Sequence, residues 1–275
     1  MLEREELDAV LLCTPPAVRL EPVQLACEKK LAVFCEKPPA FDTKTARKIE
    51  EIIRRAGIIN SVGFHYRFLD VVDRAVKLLA GRKIVFVDSI FVCGTGLDPN
   101  QPKWSFIQET ASGPLMEQAI HSLDTMRYLC GEIRTVSVLA GNPVLPKSDE
   151  LTIEDTHALS LQFESGAMGV HMHSWVYRGE AVKIRMFGVD FNLTVDLVPP
   201  YGLYGTLDGE KVEFLAPDDD CYLTQMAQFV KAVQRQDQSI VRSSYTDAAK
   251  TLEVTLSAIK AVYSGRAEQV STGGS

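Results

Sequence analysis

The chain has no CxxC pair, no run near the ~18 apolar residues that a membrane-crossing helix requires, and no excess of positive charge. Each shortage closes off a class of function. Twenty-nine Lys and Arg stand against 36 Asp and Glu, a net charge of −7. The basic footprint of a nucleic-acid binder is therefore missing, and the pairs Lys29-Lys30 and Arg54-Arg55 read as solvated helix faces. Met1-Leu2-Glu3-Arg4-Glu5-Glu6 does not read as a secretory signal. The six cysteines (Cys13, Cys27, Cys35, Cys93, Cys130, Cys221) read as free thiols in a reducing compartment rather than disulfides or a zinc site. A cytoplasmic protein without nucleic-acid or membrane partners is expected. The 275 residues are 46% hydrophobic and 24% charged, ordinary values that exclude disorder and allow one large domain or two smaller ones.

What is present falls into two grammars. Asp8–Cys13 is a short apolar run stopped by Thr14-Pro15-Pro16, and Leu31–Cys35 is another, closed by Glu36-Lys37-Pro38-Pro39. Ile58–Phe64 is a third. Helical stretches separate them, around Pro22–Lys30 and from Asp42 or Thr43 to Gly57, with Ala46, Ile49, Ile53 and Ala56 at helical spacing. Strand and helix alternating at this interval predict a parallel sheet. After a helix near Val71–Leu79, strands are predicted over Lys83–Cys93, Thr135–Ala140, Thr156–Phe163, Ala167–Val176, Val182–Phe187 and Phe191–Leu197. Hairpin-sized links such as Glu164-Ser165-Gly166 make this second sheet mainly antiparallel. Helices are predicted near Pro114–Cys130, Tyr222–Arg235 and Thr246–Tyr263, and a frayed tail over Thr272–Ser275. The expected fold class is α/β plus α+β: residues 1–66 form a partial parallel sheet, and residues 67–270 a larger domain with an open, mainly antiparallel sheet.

Two sets of residues carry chemistry. In the helix after Gly113-Pro114, capped by Ser112 or Gly113, Glu117, His121, Asp124 and Tyr128 follow at i, i+4, i+7 and i+11, which puts them on one polar stripe at 100° per residue. A carboxylate one turn from an imidazole can fix its tautomer and suit it to proton exchange near neutral pH; an amphipathic helix facing water is the alternative. Lys37 directly follows a buried strand, at the carboxyl mouth of a parallel sheet where α/β ligand sites form. His171 and His173 share a strand face, but no third ligand accompanies them at a convincing spacing, so no metal is expected. Asp218-Asp219-Asp220 lacks the glycine and terminal glutamate of a calcium loop. Gly94-Thr95-Gly96 has Pro99 at the third glycine position and reads as a turn.

Asp8-Ala9-Val10 running into Thr14-Pro15, then Val33-Phe34-Cys35-Glu36-Lys37-Pro38, Gly63-Phe64-His65-Tyr66-Arg67-Phe68, and Ser112-Gly113-Pro114 ahead of His121, Asp124 and Gly131 occur in order. Together they resemble the Gfo/Idh/MocA family of NAD(P)-dependent oxidoreductases, from about residue 8 to about residue 265. The resemblance implies hydride transfer between nicotinamide (NAD or NADP) and a sugar, polyol or similar small polar substrate. It implies Lys37 and His121 as the catalytic pair, with Glu117 where the family usually has Asp. Thr14, Pro15, Glu36 and Lys37 would line the cofactor groove. His65, Tyr66, Arg67, Trp104 and Asp124 would stand beside the substrate, with an interdomain salt bridge the alternative for Arg67 and a core or interface position for Trp104. Homo-oligomers would form through the second sheet. The family's glycine-rich pyrophosphate turn does not precede Asp8. The chain is therefore expected to lack the first half of its nucleotide-binding fold, leaving the Asp8–Cys13 strand with an unpaired apolar edge. The competing expectation is a catalytically silent fragment or an assembly module.

Overall fold

The computed structural model describes residues 4–111 and 113–271. Ser112, the expected tail Thr272–Ser275 and the first three residues lie outside the described residues. The chain forms two compact units, one comprising residues up to Phe68 together with Asp220–Glu253, the other Leu69–Asp219 with the remainder from Val254.

The first unit contains a parallel sheet of β1 (Ala9–Leu12), β2 (Ala32–Cys35) and β3 (Asn60–Val62), in that order, with Val10 opposite Val33 and Phe34 opposite Ser61. Helices α1 (Leu20–Glu28) and α2 (Thr43–Ala56) form the connections. α2 begins and ends where its sequence dictates. The Asp42 carboxylate accepts the Thr45 backbone N–H at 2.8 Å, and Gly57 takes the left-handed conformation that closes the last turn. All four residues of β2 are buried, as a strand covered on both faces must be. The return of residues 220–253 to this unit differs from the expected division at residue 66. Its cause is apolar: Phe229 packs edge-on against Phe34 with ring centroids 5.6 Å apart, and Ala232 joins Ala32 and Ile59 in the same cluster. These residues belong to α6 (Cys221–Arg235), whose N-cap is Asp220. The Asp218–Asp220 run thus supplies a cap, and Asp219 accepts the backbone N–H of Asp70 at 2.6 Å.

The second unit is built on a nine-stranded sheet. After α3 (Asp70–Leu79) come β4 (Ile84–Val92), the short α4 (Gln108–Ala111), a π-helical turn (Leu115–Ala119), α5 (Ile120–Cys130), β5 (Ile133–Gly141) and β6 (Thr156–Phe163). These are followed by β7 (Met168–Ser174), β8 (Ala181–Gly188), β9 (Phe191–Asp196), β10 (Gly202–Leu207) and β11 (Glu210–Leu215). α7 (Tyr245–Ser264) and β12 (Glu268–Gln269) complete the elements. The sheet order is β11-β10-β9-β8-β4-β7-β6-β5-β12; only β4 and β7 run parallel. One face is apolar and buried, with Leu159, Leu161, Val182, Ile184, Met186 and Val195, while Val170, Met172, Lys183 and Arg185 alternate onto the open face. β10 and β11 are not among the strands expected from the sequence. Their alternation carries few apolar residues because much of the pair faces solvent.

Candidate functional site

In the first unit, the loops leaving β1 and β2 lie side by side. The Glu36 backbone N–H donates to the Leu12 carbonyl at 3.1 Å, and the Gly63 N–H donates to the Cys35 carbonyl at 2.9 Å. The Glu36 carboxylate folds back to accept the Lys37 backbone N–H at 3.1 Å. It also lies directly over Gly63, where an added Cβ would stand 3.0 Å from Glu36 Oε2. The group so close to Gly63 is the end of a flexible side chain. Glu36 and Lys37 are both half-buried, and the Lys37–Pro38 peptide is cis.

Lys37 is accompanied by His65, which follows β3. The His65 ring stacks on Tyr222 (centroids 4.5 Å, planes 18° apart) and meets Tyr66 at 4.4 Å. Burial, reinforced by the positive charge of Lys37, pushes the His65 imidazole down to about 4, so it is neutral at physiological pH. Tyr222, at the start of α6, was not singled out in the sequence. Only the return of that helix to the first unit brings it to His65. Arg67, predicted beside the substrate, is buried: its guanidinium is ion-paired to Asp247 at 2.6 Å and donates to the Arg242 carbonyl at 2.7 Å. Both partners belong to the same unit as Arg67, so this ion pair is not the interdomain one that was the alternative for it.

In the second unit, the predicted helix starts at Gly113, whose left-handed backbone (φ 66°) and approach to Ile153, 2.9 Å from where a Cβ would be, both demand glycine. The first turn is π-helical, with the Ile120 N–H reaching back five residues to the Leu115 carbonyl. Such turns shift the phase of a helix and recur at functional sites. Of the four residues expected on one stripe, only Glu117 lies in this turn, so the 100° per residue spacing does not hold between it and His121, while His121, Asp124 and Tyr128 keep it within α5. The alternative of a water-facing amphipathic helix also fails. His121 is 8% exposed and Asp124 1%, and Leu115, Ala119, Leu123 and Met126 are buried as well.

Gln118 anchors this turn. Its Oε1 accepts the Trp175 indole N–H at 2.6 Å and the Cys93 thiol at 3.1 Å, while its Nε2 donates to Thr95 Oγ1 at 3.0 Å. Gln118 lies between Glu117 and His121 in sequence and ties the turn to the ends of β4 and β7. Trp104, in a short 3₁₀ turn, is 57% exposed. His171 and His173 are wholly buried in β7, with His171 Nδ1 3.0 Å from Ser89 Oγ.

Two family models match the chain in the same order as these two sets of residues. The model described as an oxidoreductase family with an NAD-binding Rossmann fold covers residues 1–64, and that of the GFO/IDH/MocA C-terminal domain covers residues 83–193. The chain belongs to the Gfo/Idh/MocA family of oxidoreductases. Its relatives include the myo-inositol 2-dehydrogenase of Thermotoga maritima, 29% identical over 85% of this chain and 72% of that protein. The uncharacterized oxidoreductase YrbE of Bacillus subtilis is 27% identical over 85% of this chain and 70% of its own length. Among solved structures, levoglucosan dehydrogenase in complex with NADH and levoglucosan superposes with a TM-score of 0.86 at 18% identity, covering 98% of this chain and 82% of that one.

The Gfo/Idh/MocA assignment makes NAD the implied cofactor, and the exits of β1 and β2 present polar groups suited to it. Thr14 Oγ1 is buried with no hydrogen-bond partner among the described residues, a polar atom left for a ligand or water to satisfy. Beside it, Glu36 offers a carboxylate against a glycine backbone and Lys37 an ammonium group. Thr14, Pro15, Glu36 and Lys37 are the residues that would hold the group. Among the described residues, no glycine-rich turn leads from a strand of the parallel sheet into a helix.

Proposed function

We propose that this Gfo/Idh/MocA protein is an NAD(P)-dependent dehydrogenase acting on a CH–OH group of a sugar, polyol or similar small polar substrate. The observation that carries the reading is the setting of Lys37: half-buried, at the carboxyl end of a parallel strand, beside an imidazole held neutral. Bound nicotinamide supplies the hydride acceptor. The remaining requirement is the hydroxyl proton, which must leave as the carbon is oxidised. A lysine ammonium can hydrogen-bond and stabilise the developing alkoxide oxygen, and the His121 imidazole can accept the proton, with Glu117 one turn away to orient it. The exposed Tyr222 ring, stacked on the neutral His65, is of the kind that packs against a sugar or a nicotinamide ring.

The test is calorimetric titration with NADH and NADPH, then a screen of sugars and polyols including myo-inositol and levoglucosan, followed by nicotinamide absorbance. Lys37→Ala and His121→Ala are each expected to lower turnover by about 10²- to 10⁴-fold. If both groups act on one proton, the double variant loses less than the product of the single losses. Failure to bind either dinucleotide, or single variants with intact turnover, refutes the proposal. We infer further that copies associate through the open face of the nine-stranded sheet. Leu139 is 77% exposed there and Val170 and Met172 are exposed too, bordered by the Arg185–Asp88 and Lys183–Asp196 ion pairs. The free thiols, five of the six buried, suit a cytoplasmic setting. Sedimentation of Val170→Lys against the parent chain tests the interface; identical mass distributions would remove this face from consideration.

A further inference from the structure

Arg19 joins the 3₁₀ turn Pro16–Val18 to α1, and its side chain is 0% exposed, among the largest fully buried side chains of the protein. A buried guanidinium is costly unless its N–H groups are met, and burial holds this one below the usual arginine range. Three main-chain carbonyls meet its two terminal nitrogens, while Nε is buried without a hydrogen-bond partner among the described residues. Nη1 donates to the carbonyls of Glu36 and Pro38, and Nη2 donates to that of Thr14. Two of the acceptors flank Lys37 in sequence; the third is the last residue before Pro15. The guanidinium therefore ties the two strand-exit loops to each other and fixes the backbone on both sides of Lys37.

Hydrophobic residues of similar volume can fill a core at least as favourably as a buried charge. What the guanidinium adds is geometry: a planar fork presents fixed donors to several acceptors at once, which an ammonium or an amide cannot reproduce. We propose that Arg19 is the positioning residue of the cofactor-side site, the clip that sets where Lys37 points. The proposal rests on the functional reading of Lys37, since only then does its direction serve a reaction.

Lysine acetylation followed by mass spectrometry tests this on the full chain without substrate or cofactor. Labelling of Lys37 is measured against pH in the parent chain, Arg19→Gln and Arg19→Lys, with the exposed Lys44 as internal reference. In both variants Lys37 is expected to label at least about fivefold faster, as its loop is released, while Lys44 is unchanged. Unaltered Lys37 labelling in a folded variant, or full restoration of parent behaviour by Arg19→Lys, overturns the proposal. An arm without variants covers the case in which neither folds. Hydrogen exchange at the Glu36 and Lys37 amides of the parent chain should be as slow as in β2, and exchange as fast as in an open loop overturns the clip. Calorimetry with NADH on the same proteins separates the two readings: a parent chain that binds no NADH sinks the dehydrogenase reading, while the labelling still decides the role of Arg19.

Discussion

Acidification should unfold the second unit through three buried histidines. His157 on β6 lies opposite His173 on β7, and His171 is two residues away on the same face. Among the described residues, His157 Nδ1, His171 Nε2 and both ring nitrogens of His173 are buried without a hydrogen-bond partner. Burial holds His157 down to about 4 and His171 down to about 3, and His173 well below the ordinary 6.5. Glu154 and Asp155 act the other way on His157 without offsetting burial, while Lys147 adds to the depression. The unfolded chain binds more protons than the folded one below about pH 6.5, so stability is fully present above that pH and falls as pH falls. At about pH 5 all three folded imidazoles remain neutral, so the loss is set by the unfolded value alone: ~1.5 pH units at ~1.36 kcal/mol each, about 2 kcal/mol per histidine and about 6 kcal/mol for the three. A domain stable by ~5–15 kcal/mol would lose much of its margin. Urea titrations at the two pH values can be followed by tryptophan fluorescence, because both tryptophans, Trp104 and Trp175, belong to this unit. His173→Leu should shrink the difference between neutral and acidic stability by about 2 kcal/mol. Equal losses for the parent and His173→Leu chains would refute the reasoning.

Two further substitutions probe how the candidate residues are held. Gly63→Ala should leave the thermal midpoint nearly unchanged, because the atom in the way is the end of a flexible glutamate. By displacing Glu36 it should weaken NADH binding severalfold in calorimetry, and unchanged affinity would remove Glu36 from the cofactor site. Gln118→Leu leaves the buried Trp175 indole N–H without its acceptor. It should cost about 1–3 kcal/mol in urea denaturation and shift Trp175 emission; a neutral result would show that Gln118 does not anchor the π-helical turn.

The parallel unit was the most legible part of the fold because its signals are local. Asp42 and Gly57 mark both ends of α2, and the apolar runs ended by Thr14-Pro15 and Glu36-Lys37-Pro38 mark strands buried on both faces. The paired strands after Pro200 were harder to see, since a hairpin facing solvent has no apolar alternation to display. The return of residues 220–253 to the first unit was invisible for a different reason. α6 is an ordinary amphipathic helix in sequence, and only the pairing of Phe229 with Phe34 decides where its apolar face goes.

The same distinction governs the candidate residues. Lys37 and His121 could be picked out because their neighbours in sequence, a strand end and a helix start, already imply a place in the fold. Arg19 and Gln118 could not. An arginine after Pro15-Pro16 reads as a surface cation, and a glutamine in a helix reads as filler. Each becomes significant only when backbone groups or side chains distant in sequence converge on it: three carbonyls on the guanidinium, and an indole, a thiol and a hydroxyl on the amide. In both units the groups suited to proton chemistry adjoin a planar, multiply bonded side chain that fixes their backbone. A buried polar side chain bonded to several groups at once holds one geometry better than apolar packing does, even with Arg19 Nε left without a partner among the described residues. That is what a reaction needing an ammonium and an imidazole in fixed places would require, and it gives the buried Arg19 and the half-buried Gln118 a reason for their places.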